Sequence, residues 1–271
     1  MILGPPRSGT TLLGYLLAGG EGVLALSEPF LTLRTVGYLR LHKFYGRFQK
    51  DAGLKRRVLP PGGDYESFWR YLQRLALDNG LRHLVIKETY RPEGLNAYWS
   101  NAEAIELLMP AVHQVLLIIR HPYDTAGSSI RFCRWVTGPR GWLMRYFWPT
   151  VPNFRNPTEV VRLAARNWVH FVEWVRARGL RPIRYEDVVR NPNDALRDIC
   201  DRLRIPYDPQ MLESYEPRKR YWGLGDVKTI LKPRPVDTSA IGDSSRRLTD
   251  EQHRIVQETC EDYVGDLDYD L

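Results

Sequence analysis

Apolar residues along the chain fall into short continuous runs separated by longer stretches with helical spacing. Ile2–Leu3, Val23 to Leu26, His83 to Lys87, Val115 to Ile119 and Pro182 to Tyr185 form the short runs. They carry little polar alternation, as strands buried on both faces do. Between them the period lengthens. Thr10 to Ala18 predicts a helix, Asp64 to Leu77 places Phe68, Tyr71, Leu72 and Leu75 on one face, and Asn101 to Leu108 predicts a third helix. A long helix follows over Thr158 to Arg178, studded with Trp168, Phe171 and Trp174, and another over Asn193 to Arg204. Strands alternating with helices predict an α/β fold of three layers around a mainly parallel central sheet. The pattern is read as a single domain over residues 1–271, with helical insertions near 31–65 and 131–157 on the substrate side.

Chemistry enters at the first strand-to-helix junction, Gly4-Pro5-Pro6-Arg7-Ser8-Gly9-Thr10-Thr11. A strand, tight turn and helix in this order aim backbone N–H groups at an anion on the helix N-terminus. Thr10 stands where a nucleoside triphosphatase carries the Lys that reaches the β- and γ-phosphates. Arg7, Ser8, Thr10 and Thr11, around the turn that ends at Gly9, can instead wrap one phosphate with forked and hydroxyl donors. That suits a mononucleotide-like ligand held without metal. Further along, Arg120 ends the Val115–Ile119 strand at its carboxyl end, where ligands collect in open α/β sheets. Asp124 reads as the cap of a helix beginning near Thr125, with Ser128 one turn inside and close enough to Arg120 to share an anion. The alternative is an Arg120–Asp124 pair with Ser128 facing solvent.

These segments resemble the sulfotransferases that use 3′-phosphoadenosine-5′-phosphosulfate (PAPS). Pro6-Arg7-Ser8-Gly9-Thr10-Thr11 is similar to that family's 5′-phosphosulfate loop, and Leu116 to Ser129 to its 3′-phosphate segment. Arg184-Tyr185-Glu186-Asp187-Val188-Val189, followed by Asn191-Pro192, resembles a third family segment. The resemblance implies a P-loop-like phosphosulfate site, PAPS as donor, adenosine 3′,5′-bisphosphate as product and no metal. It also implies that Arg120 and Ser128 clamp the 3′-phosphate and that Tyr185 contacts the nucleotide, a core tyrosine being the alternative. Ile241 to Gln252 looks like the family's closing loop, from which Arg246 or Arg247 would reach the phosphate. Its usual Lys/Arg-Gly start is missing, and Thr249 reads as the cap of the last helix.

In-line transfer to an acceptor needs a base for the acceptor proton and cations for the leaving charge. Glu28, in Leu26-Ser27-Glu28-Pro29-Phe30 after the second strand, is the leading base, as the matching Glu is in several branches of the family. Other branches use a His in a Lys-Thr-His pattern, but this chain reads Lys87-Glu88-Thr89 there, which makes Glu88 the runner-up. A Glu near its ordinary pKa of about 4.3 is a weak base, so burial or an acidic neighbour would need to raise it for best effect. Lys87 and Arg7 are read as the cations that offset charge on the bridging oxygen.

The net charge of +7 is concentrated in Arg34 to Arg57, where Asp51 is the one acidic residue. That run reads either as a lid or acceptor contact or as a solvated face, and the excess charge suits a doubly phosphorylated donor better than nucleic acid. No apolar run approaches the roughly 18 residues of a membrane span. Met1 leads directly into the first strand, so a cytoplasmic protein is expected, with a trimmed anchor left open. Cys133, Cys200 and Cys260 are too few and too scattered for a disulfide framework or zinc site. Residues 131–155, rich in Arg and aromatics, offer surfaces for sugar rings, aromatic or lipidic acceptors, or a second subunit, and a homodimer stays open. The expected activity is sulfuryl transfer to a hydroxyl, with an amine second, of a small molecule or saccharide. A P-loop kinase or nucleotidase and a non-catalytic nucleotide- or polyanion-binding module remain the alternatives.

Overall fold

A computed structural model describes residues 1–29, 64–92, 101–138, 156–213, 221–223 and 236–271. The basic segment Arg34–Arg57 and most of the expected 131–157 insertion lie outside the described residues. Strands β1 (Ile2–Leu3), β2 (Val23–Ser27), β3 (His83–Lys87), β4 (Leu116–Ile119), β5 (Ile183–Arg184) and β6 (Tyr221–Gly223) form one sheet in the order β5-β4-β1-β3-β2-β6. Every pairing is parallel. The carboxyl ends of all six strands therefore share one rim.

Alternation along the strands sorts the core into two layers. Leu3, Leu117 and Ile119 pack against α4 (Pro122–Thr137), α5 (Pro157–Arg176) and α9 (Asp250–Val264). On that side, Leu24, Leu26 and Ile86 meet α2 (Tyr65–Asp78) and α3 (Ala102–Leu108). The intervening residues Ile2, Ala25, Val85, Leu116 and Ile118 face the opposite layer. That layer consists of α1 (Thr10–Leu17), α6 (Tyr185–Arg190), α7 (Pro192–Leu203) and the short α8 (Gln210–Glu213). The three-layer, parallel α/β expectation matches this arrangement.

Helix ends follow local chemistry. Asp64 caps α2 by accepting from Ser67 N at 2.8 Å, and Asn156 caps α5 ahead of Pro157. Thr249 and Gln252 close a capping box on α9, as Thr249 suggested. Two local expectations are corrected. Helix α4 begins at Pro122 with His121 in the cap position, because a proline at the first helical position loses no needed N–H. Asp124 is thus inside the first turn rather than at the cap. Tyr185 opens α6 instead of ending β5. Strand β6, three residues pairing with β2, was too short to stand out in the sequence.

Strand β1 is two residues long and lies between β3 and β4. Its extension is secured by Glu88 N donating to Ile2 O and Tyr90 N to Gly4 O, both at 2.9 Å. Gly4 lies so close to β4 that a Cβ would collide with the Ile118 carbonyl oxygen. Gly4→Ala is expected to cost about 1–3 kcal/mol through overpacking against backbone. Gly265→Ala, in open space, should stay within about 0.5 kcal/mol of wild type. Thermal denaturation of the two variants checks the contrast.

Candidate active site

The rim gathers the sequence-selected residues from neighbouring strands. The turn after β1 contains Arg7 at φ 73° and Gly9 at φ 92°, and its Ser8 N donates to Pro5 O at 3.3 Å. Gly9 has room for no side chain, since a Cβ there would strike the Tyr185 ring. Helix α1 starts immediately after Gly9 with no side-chain cap on its first N–H groups. These free N–H groups are the ones that bind anions at helix N-termini. Thr10 is buried and Thr11 partly buried at that end.

Arg7 reaches across to α4, where its Nε donates to Ser128 Oγ at 3.2 Å and its guanidinium stacks 5.3 Å from the Phe132 ring centre. A left-handed φ is costly for a residue with a Cβ, so this side chain is aimed by a backbone held under strain. Arg120, only 4% exposed, leaves the end of β4 with its guanidinium 4.8 Å from the Tyr185 ring centre. Its carbonyl accepts from Trp168 Nε1 at 2.9 Å and from Thr125 Oγ1 at 3.3 Å. Arg7, Ser8, Thr10, Arg120, Ser128 and Tyr185 are thus assembled around one end of the sheet. The Arg120–Asp124 pair of the alternative reading is present at 3.4 Å, but Ser128 is buried and accepts from Arg7 instead of facing solvent.

Arg246 and Arg247 occupy an exposed turn farther out. Arg247 is engaged by Asp243 at 2.9 Å and 3.0 Å, and Arg131 lies 3.5 Å from the same carboxylate.

Glu28 is the second non-glycine site residue with positive φ, at 53°. Its N–H donates to Lys87 O at 2.6 Å, which joins the ends of β2 and β3. Its Oε1 receives Lys87 Nζ at 2.5 Å, Arg91 Nη2 at 3.2 Å and Thr89 Oγ1 at 3.3 Å. Burial alone would raise this carboxyl, but Lys87 and then Arg91 outweigh it and hold the group down at about 2. The upward shift that an effective base would need is absent: Glu28 is a fixed carboxylate. Burial, meanwhile, draws the Lys87 ammonium below its ordinary value in spite of Glu28.

Lys87 runs along α1 where Gly14 leaves space, a Cβ there falling 3.5 Å from Lys87 Cβ. Glu88 is buried too, with Asn101 Nδ2 donating to its Oε2 at 3.4 Å. Thr89, Arg91 and Asn101 were not picked out from the sequence. Arg91 lies past the end of β3 with no motif to mark it, and the Asn101 side chain ties that segment by accepting from Arg91 N and donating to Thr89 O.

The three cysteines are free and buried. Among the described residues, no helix is long and apolar enough to cross a membrane, and no group of three His, Cys, Asp or Glu residues is placed to hold a metal.

The model of the Sulfotransferase family matches residues 1–209. The solved sulfotransferase domain from the Synechococcus PCC 7002 olefin synthase is similar at 22% identity and TM-score 0.55, over 100% of this chain and 94% of that one. The sulfotransferase domain from the curacin biosynthetic pathway is similar at 19% identity and TM-score 0.57, over 100% of this chain and 97% of its own. At such identities these two likenesses speak for the fold. No curated protein matches the chain.

The Glu28 pKa fixes a pH dependence of stability. A carboxyl depressed in the folded state contributes stability that is complete above its unfolded pKa of about 4.3 and is lost as pH falls toward the folded value. The stability difference between wild type and Glu28→Gln should be largest near neutral pH and shrink steadily as pH falls through that window to about 2. Urea unfolding at a series of pH values measures it, and a gap independent of pH would contradict the assignment.

Proposed function

Because this chain belongs to the sulfotransferase family, we propose that it moves a sulfuryl group from PAPS to the hydroxyl of a small-molecule or saccharide acceptor. The observation that carries the reading is the convergence of Arg7, Lys87, Arg120 and the Glu28 carboxylate on the rim formed by four adjacent parallel strands. The donor set suits a nucleotide with separate 5′ and 3′ anionic groups. Among the described residues, the Ser8 hydroxyl and Arg120 Nε are buried without a hydrogen-bond partner, and both are donors. Buried donors left unmatched are costly, so an anionic ligand that accepts from them suits the site.

In this reading the loop from Arg7 to Thr11 holds the 5′-phosphosulfate, and Arg120 with Ser128 holds the 3′-phosphate while Tyr185 packs beneath. PAPS supplies an activated sulfuryl group on a phosphate leaving group. Lys87 and Arg7 offset the charge that grows on that leaving phosphate. Glu28 accepts the acceptor's proton. Its basicity is restrained by the Lys87 contact, so any turn of Lys87 away from Glu28 leaves a buried carboxylate with a stronger hold on a proton. Phe132, beside Arg7, supports an acceptor with a flat or apolar face.

Calorimetric titration with adenosine 3′,5′-bisphosphate, AMP and Mg-ATP tests the donor. The bisphosphate should bind best, and Arg120→Ala should weaken it by about tenfold or more. Preference for Mg-ATP would sink the proposal. With PAPS and an acceptor that supports turnover, Glu28→Gln should keep bisphosphate affinity and lose about a hundredfold or more in kcat. Unchanged turnover would remove Glu28 from the role of base and turn attention to Glu88.

A further inference from the structure

Asp124 has no part in the site as assigned, yet it is a buried carboxylate, 2% exposed, whose bonds go to backbone more than a hundred residues away. Its Oδ2 accepts from Gly242 N at 2.8 Å, and its Oδ1 accepts from Ser244 N at 3.2 Å and Ser245 N at 3.1 Å. Arg120 lies 3.4 Å from Oδ2 and donates through Nη2 to the Ala240 carbonyl. The cation just past the end of β4 and the anion in the first turn of α4 therefore grip the same segment, 240–245, through its carbonyl and its N–H groups respectively.

The grip is reinforced by shape. Gly127, one turn beyond Asp124 and next to Ser128, presents bare backbone to the segment, and a Cβ there would collide with the Ser244 carbonyl oxygen. Within the segment, Ser245 Oγ donates to Gly242 O at 2.9 Å, and Gly242 takes a φ of 70°. His253 Nε2 lies 3.1 Å from Ser245 O and ties the segment to α9. Three N–H donors converging on one carboxylate need an acceptor with several lone pairs and no hydrogen, which an amide side chain cannot match.

We propose that Asp124 is a positioning residue for selectivity toward the 3′-phosphate of the donor. It clamps segment 240–245 onto the first turns of α4, fixes the Arg120 guanidinium over Tyr185, and closes the site on the side of Ser128. The proposal rests on the reading that Arg120 and Ser128 hold that phosphate. A residue serving stability alone would alter binding of every nucleotide alike, whereas this clamp acts on one phosphate.

The test is calorimetric titration of the full chain with adenosine 3′,5′-bisphosphate and with AMP, for wild type, Asp124→Asn and Gly127→Ala. Asp124→Asn should weaken the bisphosphate by about tenfold and leave AMP within about twofold. Gly127→Ala keeps every charge but displaces Ser244, and it should give the same selective loss. If Asp124→Asn fails to fold, Gly127→Ala decides alone. Equal weakening of both nucleotides, or a wild-type preference that survives in the variants, overturns the role of Asp124 and leaves the donor site standing. Equal affinity of the wild type for both nucleotides overturns the donor reading, and the clamp with it.

Discussion

A two-residue strand sets the geometry of this molecule. Ile2 and Leu3 lie between β3 and β4, and Gly4 continues them so close to Ile118 that no side chain fits. That approach places the turn Gly4–Gly9 between the ends of the strands that deliver Lys87 and Arg120. Had β1 stood farther from β4, Arg7 could not bridge to Ser128 on α4. The parallel sheet makes the arrangement possible, since it brings every carboxyl end to one rim where ligands gather.

Charge is distributed on that rim in two groups. On one side, the single oxygen Oε1 of Glu28 meets Lys87, Arg91 and Thr89, and the carboxyl is held at about 2 even though it is buried. On the other, Arg120 is held by Asp124, the Ala240 carbonyl and the Tyr185 ring. Each group pairs a buried charge with an opposite one, which limits the cost of removing it from water. Arg7, at a strained φ, reaches from the turn between them to Ser128 on α4. Strain of this sort persists only where surrounding structure over-determines it.

Much of this was legible in advance. The short apolar runs gave the strands because strands covered on both faces have no polar side to interrupt them. The turn Gly4–Gly9 and the strand-ending Arg120 could be picked out as candidates because each needs a particular residue at a fixed place in a local element. Glu28 was found in the same way, by its place just after a strand. Its electrostatics were not legible there, since the Lys87 ammonium and then Arg91, brought in from the next strand and beyond it, set the charge of this carboxyl.

The sequence by itself determined the layers and the order of the first five strands along the chain, and it marked the turn Gly4–Gly9 as a candidate anion loop, because these depend on contacts between near neighbours and on periodicity. Tertiary structure alone decided which charges meet. Asp124 looked like a local helix cap, yet a proline two residues earlier moved the start of α4 and turned that carboxylate toward Gly242, Ser244 and Ser245. Lys87 was read as a cation for the leaving charge, yet parallel register set it opposite Ser27 and beside Glu28. Pairings across strands and over a hundred residues leave no periodic trace in a chain, since they are fixed by packing of the whole sheet and its helices.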